Sequence, residues 1–204
     1  CFLYFLFLSF RCFFLFLFVV PFWAQQPVTI QLTEKDGLPD IEFYDILEDS
    51  KGFIWLAANK GLFRYDGKSF VSFTHPQKRG LSVFGLFEDT QGRIWCNTIS
   101  GQFYNEKNGK MYLFTDLKDE LKGQLPEFKV VNNQLIAFSE KGIFVVDVTT
   151  KKRTIVKDTT SFSPYYGYPF QYKNQLYFTF NNQIKIFENQ KIKSVFNFSN
   201  GKLQ

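Results

Sequence analysis

The chain of 204 residues is 45% hydrophobic, 20% aromatic and 21% charged. This balance is typical of a packed globular protein and excludes the disordered, collagen-like and coiled-coil classes. The formal net charge is +5. Because the Lys residues are scattered among carboxylates and form no basic stripe, we expect no nucleic-acid partner for this segment.

The first 24 residues carry one charge, Arg11, and are otherwise almost wholly apolar. Such a run at the chain start predicts an export segment at 1–24, either a signal peptide or an uncleaved N-terminal membrane-anchor helix. Ala24 suits the end of a signal peptide, whereas the bulk of Phe22 disfavours cleavage. The chain begins with Cys and its only Met is Met111, so we expect an N-terminal fragment that lacks its true start.

From Ile41 onward, short runs rich in β-branched and aromatic residues alternate with turn residues, at a spacing too short for helices. The runs of the first unit are separated by Asp-Ser-Lys-Gly, Asn-Lys-Gly and Asp-Gly. These are hairpin signals because Gly and Asn accept the positive φ of tight turns. The first unit therefore predicts four antiparallel strands, at residues 43–47, 53–57, 62–65 and 69–73.

The second unit repeats the first at an interval of forty residues, since EDSKGFIW at 48–55 is matched by EDTQGRIW at 88–95. In each turn we expect the Asp to accept hydrogen bonds from turn amides and the Gly to take a positive φ. Each Trp is expected to be buried between adjacent sheets, and a second Gly marks the next turn. These structural positions are Asp49, Gly52, Trp55, Gly61, Asp89, Gly92, Trp95 and Gly101.

The third and fourth units lack the acid pair and the Trp but keep the order strand, turn, strand. They read NNQLIAFSEKGIFVVD from Asn132 and KNQLYFTFNNQIKIFE from Lys173. At the turn between these strands we expect Asn182 to replace Gly142, because both residues tolerate a positive φ. The last residues, SNGKLQ, are expected to open a fifth unit.

Four-stranded units repeated about every forty residues predict an all-β fold, a β-propeller in which each antiparallel sheet is one blade. A β-sandwich has similar strands but does not explain the repeat. We assign residues 25–204 to a truncated propeller of about four blades. The predicted blades are 37–79, 80–122, 123–166 and 167–200.

At these residues the chain resembles the two-component regulator propeller repeat. That repeat is found in the periplasmic sensor regions of bacterial hybrid and conventional sensor histidine kinases and of related one-component regulators. The match runs through GLPDIEFYDILEDSKGFIWLAANKGLFRYDGKSF and, more weakly, through GLSVFGLFEDTQGRIWCNTISGQFY. The positions that carry it are Gly37, Leu38, Glu48, Asp49, Gly52, Ile54, Trp55, Gly61, Leu62, Asp66 and Gly67.

The resemblance implies an extracytoplasmic, periplasmic sensor segment whose parent protein is anchored in the inner membrane and signals through a kinase or DNA-binding output. It implies three partners: a small-molecule ligand such as an oligosaccharide, the missing C-terminal blades of the same chain, and the membrane. A β-propeller carbohydrate-active enzyme, either glycosidase or lyase, and a protein-binding scaffold propeller are the alternatives.

The residues themselves predict no catalytic group, metal site or cofactor in this segment. The only His is His75, and the acid pairs are neighbours in sequence, so they form neither a metal cluster nor a facing pair of carboxylates. Past the export segment the only cysteine is Cys96, which excludes an internal disulfide. We expect Cys96 to fill core space, with redox sensing as the alternative.

Ligand contacts are expected from loops at one face, where propellers gather the connections between second and third strands and between blades. A cluster of tyrosines before the fourth unit, at Tyr165, Tyr166 and Tyr168, offers stacking surfaces or simple packing. The candidate ligand-binding residues are Asn59, His75, Lys78, Arg79, Thr98, Tyr165 and Tyr166.

Overall fold

The structure is a computed structural model that describes residues 29–157, 169–173, 175–180, 183–198 and 202–203. The chain divides into two compact units, Cys1–Leu32 and Thr33–Gln204. Of the first unit only residues 29–32 are described, and they are irregular. The predicted export segment lies outside the described residues. Across the described ranges, no helix has the length and apolar character that a membrane span requires.

The second unit contains four antiparallel sheets, each built from strands in chain order. Sheet 1 contains β1 (Phe43–Glu48), β2 (Ile54–Ala58), β3 (Gly61–Tyr65) and β4 (Phe70–Phe73). Sheet 2 contains β5 (Phe84–Glu88), β6 (Ile94–Asn97), β7 (Gln102–Lys107) and β8 (Lys110–Asp116). Sheet 3 contains β9 (Glu127–Val131), β10 (Gln134–Ser139), β11 (Gly142–Asp147) and β12 (Arg153–Val156).

Sheet 4 contains β13 (Phe170–Tyr172), β14 (Gln175–Phe180), β15 (Gln183–Glu188), β16 (Lys191–Asn197) and a short fifth strand, β17 (Lys202–Leu203). Outside the sheets, the described residues form a 3₁₀ turn at Glu34–Asp36 and one helical turn, α1 (Lys118–Leu121). The predicted all-β fold with four-stranded antiparallel blades is confirmed.

Three apolar clusters fill the spaces between successive sheets. The first joins Trp55 and Leu62 of sheet 1 to Ile94 of sheet 2. The second joins Trp95 of sheet 2 to residues of sheet 3 and to Leu117 and Leu121 at α1. The third joins sheet 3 to sheet 4. A fourth cluster, of Leu56, Ala58 and Phe63, belongs to sheet 1 alone. Three of the four clusters thus lie between neighbouring sheets, as expected for a repeat architecture.

The two Asp-x-x-Gly turns have the same hydrogen bonds. Asp49 Oδ1 accepts from the amides of Lys51 and Phe53, both at 2.9 Å. In the second turn, Asp89 Oδ1 accepts from the amides of Gln91 and Arg93, at 2.9 Å and 3.1 Å. The carboxylate therefore substitutes for water at two amides that the tight turn leaves without a strand partner.

The glycines of these turns adopt the left-handed conformation, with φ of 82° at Gly52 and 71° at Gly92. In both turns the Gly amide donates to the carbonyl of the Asp at 2.9 Å. A residue with a Cβ is strained at this φ. The repeated Gly is therefore required by the backbone path of the turn.

Each Trp of the repeat is buried and hydrogen-bonded to the Asp of its own turn. Trp55 and Trp95 are 1% and 0% exposed. Trp55 Nε1 donates to Asp49 Oδ2 at 2.8 Å, and Trp95 Nε1 donates to Asp89 Oδ2 at 2.7 Å. The second carboxylate oxygen thus satisfies an indole N–H that would otherwise be unpaired in the core. This bond gives a physical reason for the six-residue spacing of Asp and Trp that both units share.

The forty-residue interval becomes forty-one in the third strand of sheet 2. Leu56 pairs with Phe63 across β2 and β3, whereas Cys96, forty residues after Leu56, pairs with Tyr104. Gln102 therefore starts β7 at the position that Gly61 holds in β3.

Gly61 and Gly101 are consequently not equivalent, although forty residues separate them. Gly61 starts β3 with a φ of 139°, whereas Gly101 lies in the preceding loop with a φ of 81°. The loop of sheet 2 closes on itself, since the amide of Gly101 donates to the carbonyl of Thr98 at 3.0 Å. This extra loop residue shifts the register.

The chain end does not open a fifth sheet. Lys202 and Leu203 pair antiparallel with Asn197 and Phe196. They extend sheet 4, because β16 offers the unpaired backbone groups of an edge strand. Asn182, which was predicted to take the place of Gly142, lies outside the described residues. Gln183 is paired with Phe180 in sheet 4, and Gly142 is paired with Ser139 at the same point of sheet 3.

Replacing Asp89 with Asn should lower the free energy of unfolding by about 2–3 kcal/mol near neutral pH, because Trp95 and Arg93 lose their carboxylate partner. Burial alone would raise the pKa of Asp89, but hydrogen bonds from Trp95, Arg93 and Gln91 together hold it below the ordinary 3.8. Because the pKa of Asp89 is lower in the folded protein than the ordinary 3.8, its carboxylate stabilises the fold fully above pH 3.8. This stabilisation is lost as the pH falls through the pKa of the folded state. In urea unfolding, the difference between wild type and variant should therefore shrink below about pH 4.

The matched control is Asp119→Asn, which removes an exposed carboxylate in α1. It should change the free energy of unfolding by less than about 0.5 kcal/mol. A difference for Asp89→Asn that stays constant down to about pH 3 would contradict the role given to this carboxylate.

Gly61→Ala and Gly142→Ala form a second matched pair. Both residues start the third strand of their sheet, with φ of 139° and 132°, so the backbone strain is alike. A Cβ at Gly142 would lie 2.7 Å from the carbonyl oxygen of Val156, whereas at Gly61 the nearest atom is 3.9 Å away. Gly142→Ala should lower the free energy of unfolding by about 1–3 kcal/mol more than Gly61→Ala in urea titrations. Equal losses would show that φ alone requires the glycine.

Candidate functional site

The loops that join second to third strands meet the loops that join successive sheets along one edge, here called the loop edge (residues 59–60, 74–83, 98–101, 117–126 and 140–141). Ser82 donates its hydroxyl to Asn59 Oδ1 at 3.0 Å. Further along, the amide of Leu117 donates to the carbonyl of Gly101 at 2.8 Å. The hairpin loops of sheets 1 and 2 are thus each held by a direct hydrogen bond to the loop that leads to the next sheet.

Gln102 is the centre of a polar network at the loop edge. Its Nε2 donates to the carbonyl of Gln77 at 2.9 Å, and its Oε1 accepts from the amide of Arg79 at 2.8 Å. The side chain is 1% exposed. Sheets 1 and 3 have Gly at the start of their third strand, where sheet 2 has Gln102. Among these three sheets, only sheet 2 therefore has a side chain at this position that can bind the loop between sheets 1 and 2.

Arg79 and Asp116 form a bidentate ion pair next to this network. The Nη1 and Nη2 atoms of Arg79 donate to the two carboxylate oxygens at 2.5 Å and 2.7 Å. Nη2 also donates to the carbonyl of Ser100 at 2.9 Å. The hydrogen bonds from Arg79 lower the pKa of Asp116 below its ordinary value. The two side chains are 38% and 35% exposed, so a bound molecule could reach the outer side of the pair.

The partly buried ring of His75 lies 5.7 Å from the buried ring of Tyr104. Burial raises the pKa of Tyr104 and of its cross-strand neighbour Cys96 to about 12 each. Both side chains are therefore protonated at neutral pH. Cys96 is 1% exposed, so it occupies core space as expected and lacks the exposure and thiolate character of a reactive cysteine.

Five of the seven candidate ligand residues lie at the loop edge, and each of them makes at least one hydrogen bond within the protein. Lys78 Nζ donates to the carbonyls of Gly80 and Leu81, and burial lowers its pKa. Thr98 Oγ1 is hydrogen-bonded to the hydroxyl of Ser100 at 2.8 Å. His75 Nδ1 accepts from the amide of Gln77 at 3.2 Å.

Tyr165 and Tyr166, the other two candidates, lie outside the described residues. The sequence reasoning missed Gln102 and Asp116. The signal for Gln102 was present, because it replaces a Gly at a strand start, but the assumed forty-residue register concealed it. Asp116 has no such signal, since it comes close to Arg79 only in the folded chain.

Apolar side chains are exposed beside the polar network at the loop edge. They belong to Leu81, Ile99 and Leu125. Leu81 follows Arg79 by two residues, and Ile99 precedes the Ser100 carbonyl that Arg79 binds. Exposed apolar groups next to an ion pair are typical of a binding surface. Among the described residues, no group of three or more His, Cys, Asp or Glu side chains is placed to hold a metal ion.

Comparison with solved structures shows the fold. The extracellular domain of the putative hybrid two component system BT3049 from B. thetaiotaomicron is 17% identical, with a TM-score of 0.62 over 81% of this chain and 26% of that chain. The extracellular domain of the putative one component system BT4673 from B. thetaiotaomicron is 16% identical, with a TM-score of 0.57 over 75% of this chain and 24% of that chain. Virginiamycin B lyase from Staphylococcus aureus is 19% identical, with a TM-score of 0.60 over 78% of this chain and 56% of the lyase.

This chain thus spans about a quarter of the two regulator domains and about half of the lyase. At these identities the likeness shows the fold alone. No curated protein matches the chain in sequence. A family model described as Two component regulator propeller matches residues 37–60, which contain the first Asp-x-x-Gly turn and Trp55. The resemblance inferred from the sequence is thereby confirmed, since residues 37–60 of this β-propeller chain match the two-component regulator propeller repeat.

Proposed function

We propose that this chain is an extracytoplasmic sensor segment of a bacterial two-component signalling protein. The observation that carries the proposal is the match of residues 37–60 to the regulator propeller repeat. The apolar first 24 residues support export. Two of the similar folds are extracellular domains of regulators from B. thetaiotaomicron, which supports an extracytoplasmic location. The parent protein is proposed to be anchored in the inner membrane.

The loop edge is the proposed ligand surface. Leu81 and Ile99 offer apolar area beside the half-exposed pair of Arg79 and Asp116. A sugar ring has an apolar C–H face and a rim of hydroxyls, so an oligosaccharide could pack on the aliphatic side chains while its hydroxyls bind the guanidinium and the carboxylate. Preorganisation favours this use, because Gln102 and Ser100 already hold Arg79 in place.

The segment is proposed to bind its ligand without transforming it. Its buried Tyr104 and Cys96 stay protonated far above neutral pH, and Asp116 and Asp89 are committed to ion pairs with arginines. A glycosidase would need a facing pair of carboxylates. The similarity to a lyase rests on fold alone. The two alternatives, a carbohydrate-active enzyme and a protein-binding scaffold, are distinguished by the experiments below.

Calorimetry of the chain against a panel of oligosaccharides tests the proposal. For each oligosaccharide that binds, Ile99→Ser should weaken the affinity by about tenfold, since burial of an aliphatic side chain contributes about 1.5 kcal/mol or more. Tyr112→Ser is the matched control, because Tyr112 is also exposed but lies in β8 beside the opposite turn. It should leave the affinity unchanged.

Hydrolysis and elimination assays on the same panel separate sensor from enzyme. Turnover that a single Asp or Glu substitution abolishes would identify an enzyme. Heat of binding that responds equally to Ile99→Ser and Tyr112→Ser would place the ligand away from the loop edge. Absence of binding to every member of the panel would remove oligosaccharides as the ligand class.

A further inference from the structure

Two aromatic rings from neighbouring sheets stack beside the loop edge, where the first strands of sheets 1 and 2 begin. Tyr44 of β1 lies on Phe84 of β5, with ring centroids 4.5 Å apart and ring planes 24° apart. The side chain of Tyr44 is 40% exposed. Because one face of this ring lies on Phe84, the exposed area belongs to the other face and to the ring edge. The two rings are here called the aromatic platform.

A β-bulge lies at the platform in each of the two strands. In β1 the register shifts between Phe43 and Asp45, and Tyr44 is the extra residue. Asp45 Oδ2 accepts from the amide of Leu86 at 2.6 Å, so the bulged stretch of β1 turns toward sheet 2. In β5 the extra residue is Gly85, with a φ of 35°. Bulges re-aim side chains and are common next to binding sites, so the backbone itself directs the ring of Tyr44 to the platform.

Polar groups with unused hydrogen-bonding capacity flank the platform. The Tyr44 hydroxyl donates to Glu42 Oε1 at 3.0 Å, and the amide of Asn59 donates to the carbonyl of Glu42 at 3.1 Å. Asn59 Oδ1 accepts from the hydroxyl of Ser82 at 3.0 Å. Among the described residues, Glu42 Oε2 and Asn59 Nδ2 have no hydrogen-bond partner, and both residues are exposed. One acceptor and one donor are therefore open to a ligand beside the exposed ring.

This combination of groups suits an uncharged sugar ring. The apolar C–H face of a sugar packs on an aromatic face, and sugar hydroxyls both donate and accept, so they use the carboxylate and the amide together. A cationic ligand would leave the Asn59 Nδ2 donor without an acceptor. Glu42 forms no ion pair with a described residue, so its charge would repel a uronate or a sulfated sugar.

We propose that the aromatic platform binds a neutral pyranose ring, with Tyr44 against its C–H face and with Glu42 and Asn59 bonded to its hydroxyls. This inference rests on the proposed sensor function and narrows its ligand class to uncharged oligosaccharides. The platform adjoins the ligand surface at Leu81 and Ile99, because Ser82 follows Leu81 directly in the chain. Successive sugars of one oligosaccharide thereby meet two adjoining contact areas.

Calorimetry of the 204-residue chain with paired neutral and uronate-containing oligosaccharides tests the platform. For each neutral oligosaccharide that binds, Tyr44→Ala should weaken the affinity by about tenfold, because the stacking face is lost. Tyr44→Phe should stay within about threefold of wild type, because the ring remains. Urea unfolding of each variant checks that the fold is retained.

Tyr65→Ala is the matched control for the loss of the ring. Tyr65 stacks on Phe70 with centroids also 4.5 Å apart and planes 23° apart. It pairs with Ile54 and precedes the Asp66-Gly67 turn, at the end of sheet 1 opposite the loop edge. Tyr65→Ala should therefore leave the affinity for every oligosaccharide unchanged.

Glu42→Ala tests the charge of the platform and removes an exposed side chain, so core packing is unaffected. Wild type should bind the neutral member of each pair about fivefold more tightly than the uronate-containing member. Glu42→Ala should weaken binding of the neutral member by about tenfold, since a charge-assisted hydrogen bond is lost, and should narrow this preference. Glu48→Ala, which removes an exposed carboxylate at the other end of β1, should change neither quantity.

The outcomes separate this inference from the proposed function. Binding of a neutral oligosaccharide that Ile99→Ser weakens, but that Tyr44→Ala and Glu42→Ala do not, would overturn the platform and leave the sensor proposal standing. Equal weakening by Tyr44→Ala and Tyr65→Ala, with no effect of Glu42→Ala, would also overturn it. Tighter binding of the uronate-containing members would refute the neutral ligand class. Absence of binding to the whole panel would remove both this inference and oligosaccharides as ligands.

Discussion

The two carboxylates of the Asp-x-x-Gly turns tie each turn to the buried Trp of the same sheet. Asp49 and Asp89 each bind two amides of their own turn with one oxygen and a buried indole N–H with the other. A local feature of the backbone, the tight turn, is thereby tied to a long-range feature, the large aromatic ring that fills the space between sheets. The Trp side chain cannot rotate away without leaving its N–H unpaired in a buried setting and removing one hydrogen bond from the carboxylate.

The fold was predictable from the sequence because the repeat contains residues whose backbone conformation or packing is tightly constrained. Positive φ at Gly52 and the size of Trp55 leave few alternatives, and their recurrence forty residues later reveals the period. The later sheets are harder to place, since apolar packing can be made by many residue types. The first two strands of sheet 3 pair antiparallel, as those of sheet 2 do, although Val130 occupies the position of Glu88. The β17 pairing depends on which strand edge is open, which no local pattern records.

The candidate site was predictable in its location and not in its chemistry. The loop lengths place Asn59, Arg79 and Thr98 at one edge, but the partners of these side chains come from residues far along the chain. Arg79 is bound by Asp116, thirty-seven residues later, and the one-residue shift that brings Gln102 into the network comes from a loop insertion. Side-chain pairing across loops follows from the closed fold, so sequence spacing alone does not identify it.

The indole rings of Trp55 and Trp95 lie in different apolar clusters, one between sheets 1 and 2 and the other between sheets 2 and 3. Their fluorescence therefore reports on two interfaces separately. An array in which each sheet contacts only its neighbours can lose these interfaces one at a time. In variants that lack Trp23 and retain one of these two rings, emission shifts at the same denaturant concentration would show that the sheets unfold together. Shifts at different concentrations would show from which end the array opens.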